Sequence, residues 1–398
     1  MPQTWRLFLH PRLQLFKHLV FRIAYSFVAA RRPVEPNSVI LVTNRHHVLA
    51  GNLRYIYDHL NKDTFSIHTF FLDQPSLRLR AIQDLRFVVA MAQVQYVLVD
   101  DFMPLLYALR LRPGTRLVQV WHALGALKRV GYSRQGLGGG PPATSMSHKN
   151  YTDVIVSAES IRKDFAEAFC VSMQTVHATG APRSDLFFDP DEQTRILEPL
   201  YASLPQLRDK RVILFAPTFR GGGKRAAYYP DTFLDLEKFG AALGDNDLVV
   251  IKMHPFVTDP LPIPPIFADK IIDLSSYPEF NHLLLVSDIL VTDYSSAIFD
   301  YALLERPVVF YVPDLDDYTR QRGFYYDFDE YAYGPVARTF PELLTALNDP
   351  QIDRKRLSQF HDKFLDRCDG HATQRFIDVI FNQGPAVAVD FDHWDGDV

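Results

Sequence analysis

The chain has 398 residues, 47% of them hydrophobic and 22% charged, which is enough apolar material to bury two domain cores. Its two cysteines, Cys170 and Cys368, exclude a disulfide framework and match no metal-ligand spacing, so a reducing compartment is the simpler reading and neither zinc nor iron–sulfur chemistry is expected. The formal net charge of -5 is unevenly distributed. Residues 1–34 hold six Lys and Arg and no acid, leaving 36 basic against 47 acidic residues in the remainder, a balance that argues against nucleic acid as a partner.

Within the basic segment, Phe16, Leu19, Val20, Ile23 and Phe27 recur at helical spacing while Lys17, His18 and Arg22 point elsewhere. Its longest stretch free of His, Lys and Arg is 23–30, far short of the roughly 20 apolar residues that span a bilayer. Arg22 interrupts the apolar region and Arg31-Arg32 follow it, which disfavours a signal peptide. Residues 1–34 are therefore expected to form a basic amphipathic helix lying on an anionic membrane surface, with packing on the protein's own core as the alternative.

From residue 38 onward, short apolar runs alternate with longer mixed segments, the pattern of β-α-β units around buried parallel strands. Strands are predicted at 39–43, 66–71, 96–99, 116–120 and 154–157. A second series follows at 212–216, 248–252, 271–274, 289–291 and 308–312. Two such sets imply two Rossmann-like domains facing across a cleft, the GT-B type of α/β architecture. The boundary is placed near residue 203, giving domains of 35–203 and 204–384. The stretch 353–382 reads as helical, and 385–398, with four Asp and no Lys or Arg, reads as a solvated acidic tail.

Two glycine-rich stretches, 136–142 and 220–225, resemble phosphate cradles only superficially. Neither has P-loop spacing and neither completes Gly-x-Gly-x-x-Gly between strand and helix. Both are expected to be loops.

The run 289–307 reads as a buried strand, a polar turn and a helix that stops before Pro307. Ser295 or Ser296 would cap that helix, whose free backbone N–H groups and hydroxyls suit a diphosphate. Thr218 and Arg220 follow another strand, and Lys252 and His254 a third. Together these strand ends offer a phosphate-binding set, with capping alone or solvated surface charge as the plainer reading of each member. In the first half, a strand runs directly into Trp121-His122. A histidine at a strand's carboxyl end suits general-base work, although a single histidine can equally be a hydrogen-bonded structural residue.

Many motifs in order carry a family resemblance between about Gly51-Asn52 and His371. They are Trp121-His122-Ala123 with Lys128, Gly180-Ala181-Pro182-Arg183-Ser184-Asp185, Ala216-Pro217-Thr218-Phe219-Arg220, Lys252-Met253-His254-Pro255, Ser287-Asp288, Thr292-Asp293-Tyr294-Ser295-Ser296, Arg306-Pro307, Gly334-Pro335 and Asp369-Gly370. The chain resembles the CDP-glycerol:glycerophosphotransferase family, bacterial enzymes of teichoic-acid and related polyol-phosphate polymer synthesis. Many members read Trp-His-Gly where this chain has Ala123, but Trp-His-Ala with a following Gly-Ala also occurs and resembles Gly125-Ala126.

The resemblance implies transfer of glycerol phosphate or a related polyol phosphate from a CDP-polyol donor to a membrane lipid-linked acceptor, with release of CMP and no cofactor. It implies His122 as the base that takes the acceptor's proton. His254, Arg220, Lys252, Thr218, Ser295 and Ser296 would hold the donor diphosphate, with Asp293 as a ligand or as an orienter of the turn. Trp121, Lys128, Asn52, Arg183 and Asp185 remain acceptor-side or structural candidates. Such an enzyme would work at the cytoplasmic face of the bacterial membrane. A GT-B glycosyltransferase using a nucleotide sugar and an inactive nucleotide-binding membrane scaffold are the alternatives.

Overall fold

The computed structural model describes residues 3–73, 76–138, 140–223 and 226–382, and the expected acidic tail lies outside them. Two six-stranded parallel sheets form its frame. The first contains β1 (Glu35–Thr43), β2 (Ser66–Phe71), β3 (Val94–Val99), β4 (Arg116–Gln119), β5 (Asp153–Val156) and β6 (Val176–Ala178), in the order β2-β1-β3-β4-β5-β6. The second contains β7 (Arg211–Phe215), β8 (Asp247–Ile251), β9 (Ile271–Asp273), β10 (Ile289–Thr292), β11 (Val308–Tyr311) and β12 (Val336–Ala337), in the order β12-β11-β10-β7-β8-β9. All ten predicted strands are present. The two missed, β6 and β12, are edge strands of three and two residues and lack the run of consecutive apolar residues that marks the others.

Helices cover both faces of these sheets, so successive strand residues are buried rather than alternating. Val39, Ile40, Leu41 and Val42 are all fully buried, as are Leu248, Val249, Val250 and Ile251. This is why the strands read as continuous apolar runs. In the second sheet the chain runs β7-β8-β9 outward and restarts at β10 on the other flank of β7. In the first, β2 and β3 likewise lie on opposite flanks of β1. Each reversal opens a crevice at the strands' carboxyl ends, where ligands bind in such sheets.

The final helix, Ala372–Phe381, belongs by sequence to the second half but packs on the first sheet. Phe376, Ile380 and Phe381 join Val39, Leu41, Tyr96 and Leu98 in one core cluster. The buried Arg116 donates to the Ile380 carbonyl at 2.6 Å, and Asp185 caps the helix by accepting from the N–H groups of Ala372 at 2.9 Å and Thr373 at 2.8 Å. The C-terminal end of the described chain therefore straps the two halves together.

The N-terminal helix spans Gln3–Ala29. Phe21 and Tyr25 are buried at 4% and 3% exposure, and Lys17 pairs with Asp84 at 2.6 Å. The stripe singled out by spacing faces outward: Phe16, Leu19, Ile23 and Phe27 are 53–65% exposed. Among the described residues, no helix is long and apolar enough to cross a membrane.

Candidate active site

The reversal in the second sheet brings three predicted strand ends side by side, because β10, β7 and β8 are neighbours. Their side chains do different work from that expected. Arg220 is 8% exposed, and each guanidinium nitrogen has an acceptor. Nε donates to Asp314 at 2.6 Å, Nη2 to the other Asp314 oxygen at 2.8 Å, and Nη1 to the Thr218 carbonyl at 2.8 Å, with Asp293 3.0 Å from Nη2. Burial alone would lower its pKa, but the bound Asp314 and the charge of Asp293 hold it above the usual value.

Thr218 and Asp293 are committed in the same way. One Asp293 oxygen accepts from the Thr218 N–H at 2.8 Å, the Thr218 hydroxyl at 2.9 Å and the Tyr294 N–H at 2.6 Å. Lys252 donates to the carbonyls of Ser275 and Tyr277, both at 2.6 Å. Arg220, Thr218 and Asp293 build the wall with their polar groups engaged in it, contrary to the expectation for Arg220 and Thr218, while Lys252 has two of its three ammonium N–H groups committed there. Asp293 takes its alternative role of orienting the turn. A strand-end position is readable in sequence; the partner waiting there is not.

Ser295 and Ser296 remain partly exposed at the start of the helix Ala297–Ala302. The Ser295 hydroxyl accepts from the Ala297 N–H at 3.2 Å. The Ser296 side chain makes no cap bond.

Beyond β8, His254 lies between Phe219, tilted at 52°, and Phe256, edge-on at 72°, each 4.7 Å away between ring centroids. Its Nδ1 accepts from the Phe256 backbone N–H at 3.1 Å. In the neutral ring the proton therefore sits on Nε2, which becomes a donor. Burial first, then the charges of Lys128, Arg45, Lys252 and Arg322, lower its pKa to about 4, so the neutral form prevails near neutrality.

His122, beyond β4, has the opposite arrangement. Its Nδ1 lies 3.2 Å from the Asp100 carbonyl, which can only accept. Nδ1 must carry the proton, leaving Nε2 as the acceptor. The pKa of this half-buried ring falls well below the ordinary value through burial, then through the charge of Arg45, with smaller effects of Arg183 and Lys128. Asp101 stands 3.7 Å from Nδ1 and 3.4 Å from Arg45. Lys128 and Arg45 thus act on both histidines, one on each wall of the cleft.

The turn under His122 is held in an uncommon shape. Trp121 has φ +49°, left-handed for a bulky residue. Asn52 donates to the Val120 carbonyl at 2.8 Å and the Trp121 carbonyl at 3.0 Å, and the Gln119 side chain accepts from the Trp121 N–H at 2.9 Å. Trp121 itself is buried against Phe165 and Phe169. Asn52 also accepts from the Arg183 N–H at 3.0 Å, and Arg183 crosses to Asp300 at 2.9 Å. Asn52, Trp121, Arg183 and Asp185 are thus structural supports, whereas Lys128 reaches over the cleft to Tyr318 at 3.5 Å.

Arg45, Asp100, Asp101, Gln119 and Arg322 escaped the sequence reading. Arg45 and the two aspartates stand just beyond β1 and β3, so the strand-end rule used elsewhere would have found them. Arg322 lies at the end of the helix Leu315–Arg322, and no local signal marks it.

The sequence profile of the CDP-Glycerol:Poly(glycerophosphate) glycerophosphotransferase family matches residues 24–382. The chain belongs to this family. It is 40% identical to the teichoic acid poly(ribitol-phosphate) polymerase of Bacillus spizizenii, over 92% of this chain and 59% of that protein. It therefore spans about three-fifths of that relative's length. It is 35% identical to the ribitol-phosphate polymerase TarK of Staphylococcus aureus, over 92% of this chain and 72% of that one. Against the poly(glycerol phosphate) polymerase of Bacillus subtilis the figure is 30%, over 89% and 50%. The solved structure of the wall teichoic acid polymerase TagF superposes with a TM-score of 0.73 at 22% identity, covering 94% of this chain and 97% of that one. This likeness establishes the shared fold of the glycerophosphotransferase family member, with its two Rossmann-like domains.

Proposed function

We propose that the chain transfers a polyol-phosphate unit from a CDP-polyol to a hydroxyl of a lipid-linked acceptor, releasing CMP. The observation that carries this reading is the pair of histidines with opposite hydrogen-bonding capacity on opposite walls of one cleft. His122 Nε2 accepts the acceptor's proton as its oxygen bonds to the β-phosphorus. The bond from phosphorus to the CMP oxygen breaks, and His254 Nε2–H donates to the departing phosphate. Ser295 and Ser296 supply hydroxyl donors beside it, while Arg220, Asp293, Thr218 and Lys252 keep the wall rigid.

A TagF variant soaked with CDPG fits a CDP-polyol as the class of donor. Within that class, the relatives named for ribitol phosphate, at 40% and 35%, exceed the glycerol-phosphate relative at 30%. The donor proposed is CDP-ribitol. The outward stripe of the N-terminal helix, with Arg22, Arg31 and Arg32 nearby, fits an anionic membrane that would carry the acceptor. Its site of action would be the membrane's cytoplasmic face.

A donor panel tests this reading. The protein is incubated with CDP-ribitol, CDP-glycerol or a UDP-sugar, together with a lipid-linked acceptor, and nucleotide release is measured. CMP release, fastest from CDP-ribitol, is expected; UDP release from the sugar donor without CMP release would overturn the assignment.

A further inference from the structure

Just before the glycine-rich stretch at 136–142, Arg134 stands where two other cations converge. Lys128 forms a strand-like bridge with Phe324, and the Arg129 N–H donates to the Gly323 carbonyl at 3.1 Å. This seam carries the first half onto the end of the helix that terminates in Arg322. The loop closes over the same point: a Cβ on Gly323 would lie 2.7 Å from Leu137 and 3.3 Å from Arg129, and one on Gly138 would lie 4.0 Å from the Gln321 carbonyl. Arg134 donates across the base of the loop to the Gly138 carbonyl.

Lys128, Arg134 and Arg322 therefore gather around Tyr318 and Gly323. Among the described residues, none of the three has a carboxylate partner within ion-pair distance, although the protein is acidic as a whole. Their charges act on one another and on Tyr318. Burial first and the charge of Arg322 second draw the Arg134 pKa down. Burial would raise the Tyr318 hydroxyl, but Lys128 and Arg322, with a bond to Thr218, bring it below the usual value. Three partly desolvated cations held together without a counterion favour an anion strongly.

The cluster is joined to the chemistry. Lys128 acts on both histidines, and the Arg322 guanidinium lies 5.8 Å from the Phe219 ring, whose centroid is 4.7 Å from that of His254. Two of the three cations, however, come from the half that carries His122, the acceptor's base.

We propose that Lys128, Arg134 and Arg322 form a second phosphate site at the rim of the cleft, which holds a phosphodiester of the acceptor chain while its terminal hydroxyl reaches His122. This rests on the polyol-phosphate transfer reading. A polyol-phosphate chain is otherwise neutral and flexible, so its phosphodiesters are the only charged handle by which it can be fixed in register.

The test uses two acceptors of equal length, one with a phosphodiester next to the terminal polyol and one without. Arg134→Gln/Arg322→Gln, and Arg322→Gln alone in case the loop depends on Arg134, are compared with wild type. The KM for the phosphodiester-bearing acceptor should rise about tenfold or more, the scale of one lost charge-assisted hydrogen bond, and by a clearly larger factor than either the donor KM or the KM for the phosphate-free acceptor. Arg322→Lys, which keeps the charge, should recover most of the affinity. A rise in donor KM instead, or an unchanged acceptor KM, would overturn the proposal. Titrating a short polyol-phosphate oligomer into donor-free full-length protein reads the site without the reaction. Equal affinities of wild type and the double variant would sink the site, whereas tight wild-type binding without CMP release would sink only the transfer reading.

Discussion

His122 and His254 differ in which ring nitrogen is free, and that difference comes from one backbone group each: a carbonyl at Asp100 and an N–H at Phe256. The acid limb of the rate profile should follow His122. Because burial and then Arg45 hold its pKa well below the ordinary 6.5, the base form persists to lower pH than for a solvated histidine. Arg45→Gln removes a positive charge beside the ring and frees Asp101, both of which favour the imidazolium. The acid limb of kcat/KM for CMP release should therefore move upward in pH, partially, since burial remains; a limb that stays or moves down would contradict the assignment. His122→Gln should reduce kcat by roughly 100-fold to 10,000-fold with little change in melting temperature.

At the scale of elements, the loop after His122 and the helix after Ser296 are locked by one contact. Gly125 has φ +62°, and a Cβ there would lie 2.2 Å from the Phe299 ring. The helix Ala297–Ala302 thus rests on the loop that continues from His122, so the acceptor and donor walls share a joint. Gly125→Ala forces these elements apart, and displacements of about 1 Å can cost on the order of 100-fold in rate. A kcat lowered tenfold or more and a reduced melting temperature are expected, with partial recovery in Gly125→Ala/Phe299→Leu. A single variant with wild-type kcat and melting temperature would remove this joint from the account.

Over the whole molecule, the chain crosses between its halves more often than two consecutive domains require. Arg183 meets Asp300, the bridge at Lys128 and Phe324 pairs backbone with backbone, and the last helix returns to the first sheet. At the other end, the N-terminal helix is anchored by Phe21 and Tyr25 while its apolar stripe stays outside. This arrangement allows a membrane test that leaves the core intact. Ile23→Glu/Phe27→Glu should abolish sedimentation with anionic liposomes, and wild-type binding should weaken with salt; unchanged sedimentation of the variant would refute membrane contact through this face.

The sequence by itself determined ten of the twelve strands, the parallel α/β architecture in two sheets, the family motifs and the two histidines. These are local or periodic features, written in consecutive residues and in the rule that ligands gather at strand ends. Only the tertiary structure decided what each strand-end side chain meets. Arg220 and Lys252 look like phosphate ligands until Asp314 and the carbonyls of Ser275 and Tyr277, 94, 23 and 25 residues away, are brought against them. The same holds for the short strands β6 and β12, the returning helix and the tautomers of His122 and His254. Each depends on a partner supplied by the fold, because hydrogen bonds and ion pairs act over a few ångströms in space and leave no trace in sequence separation.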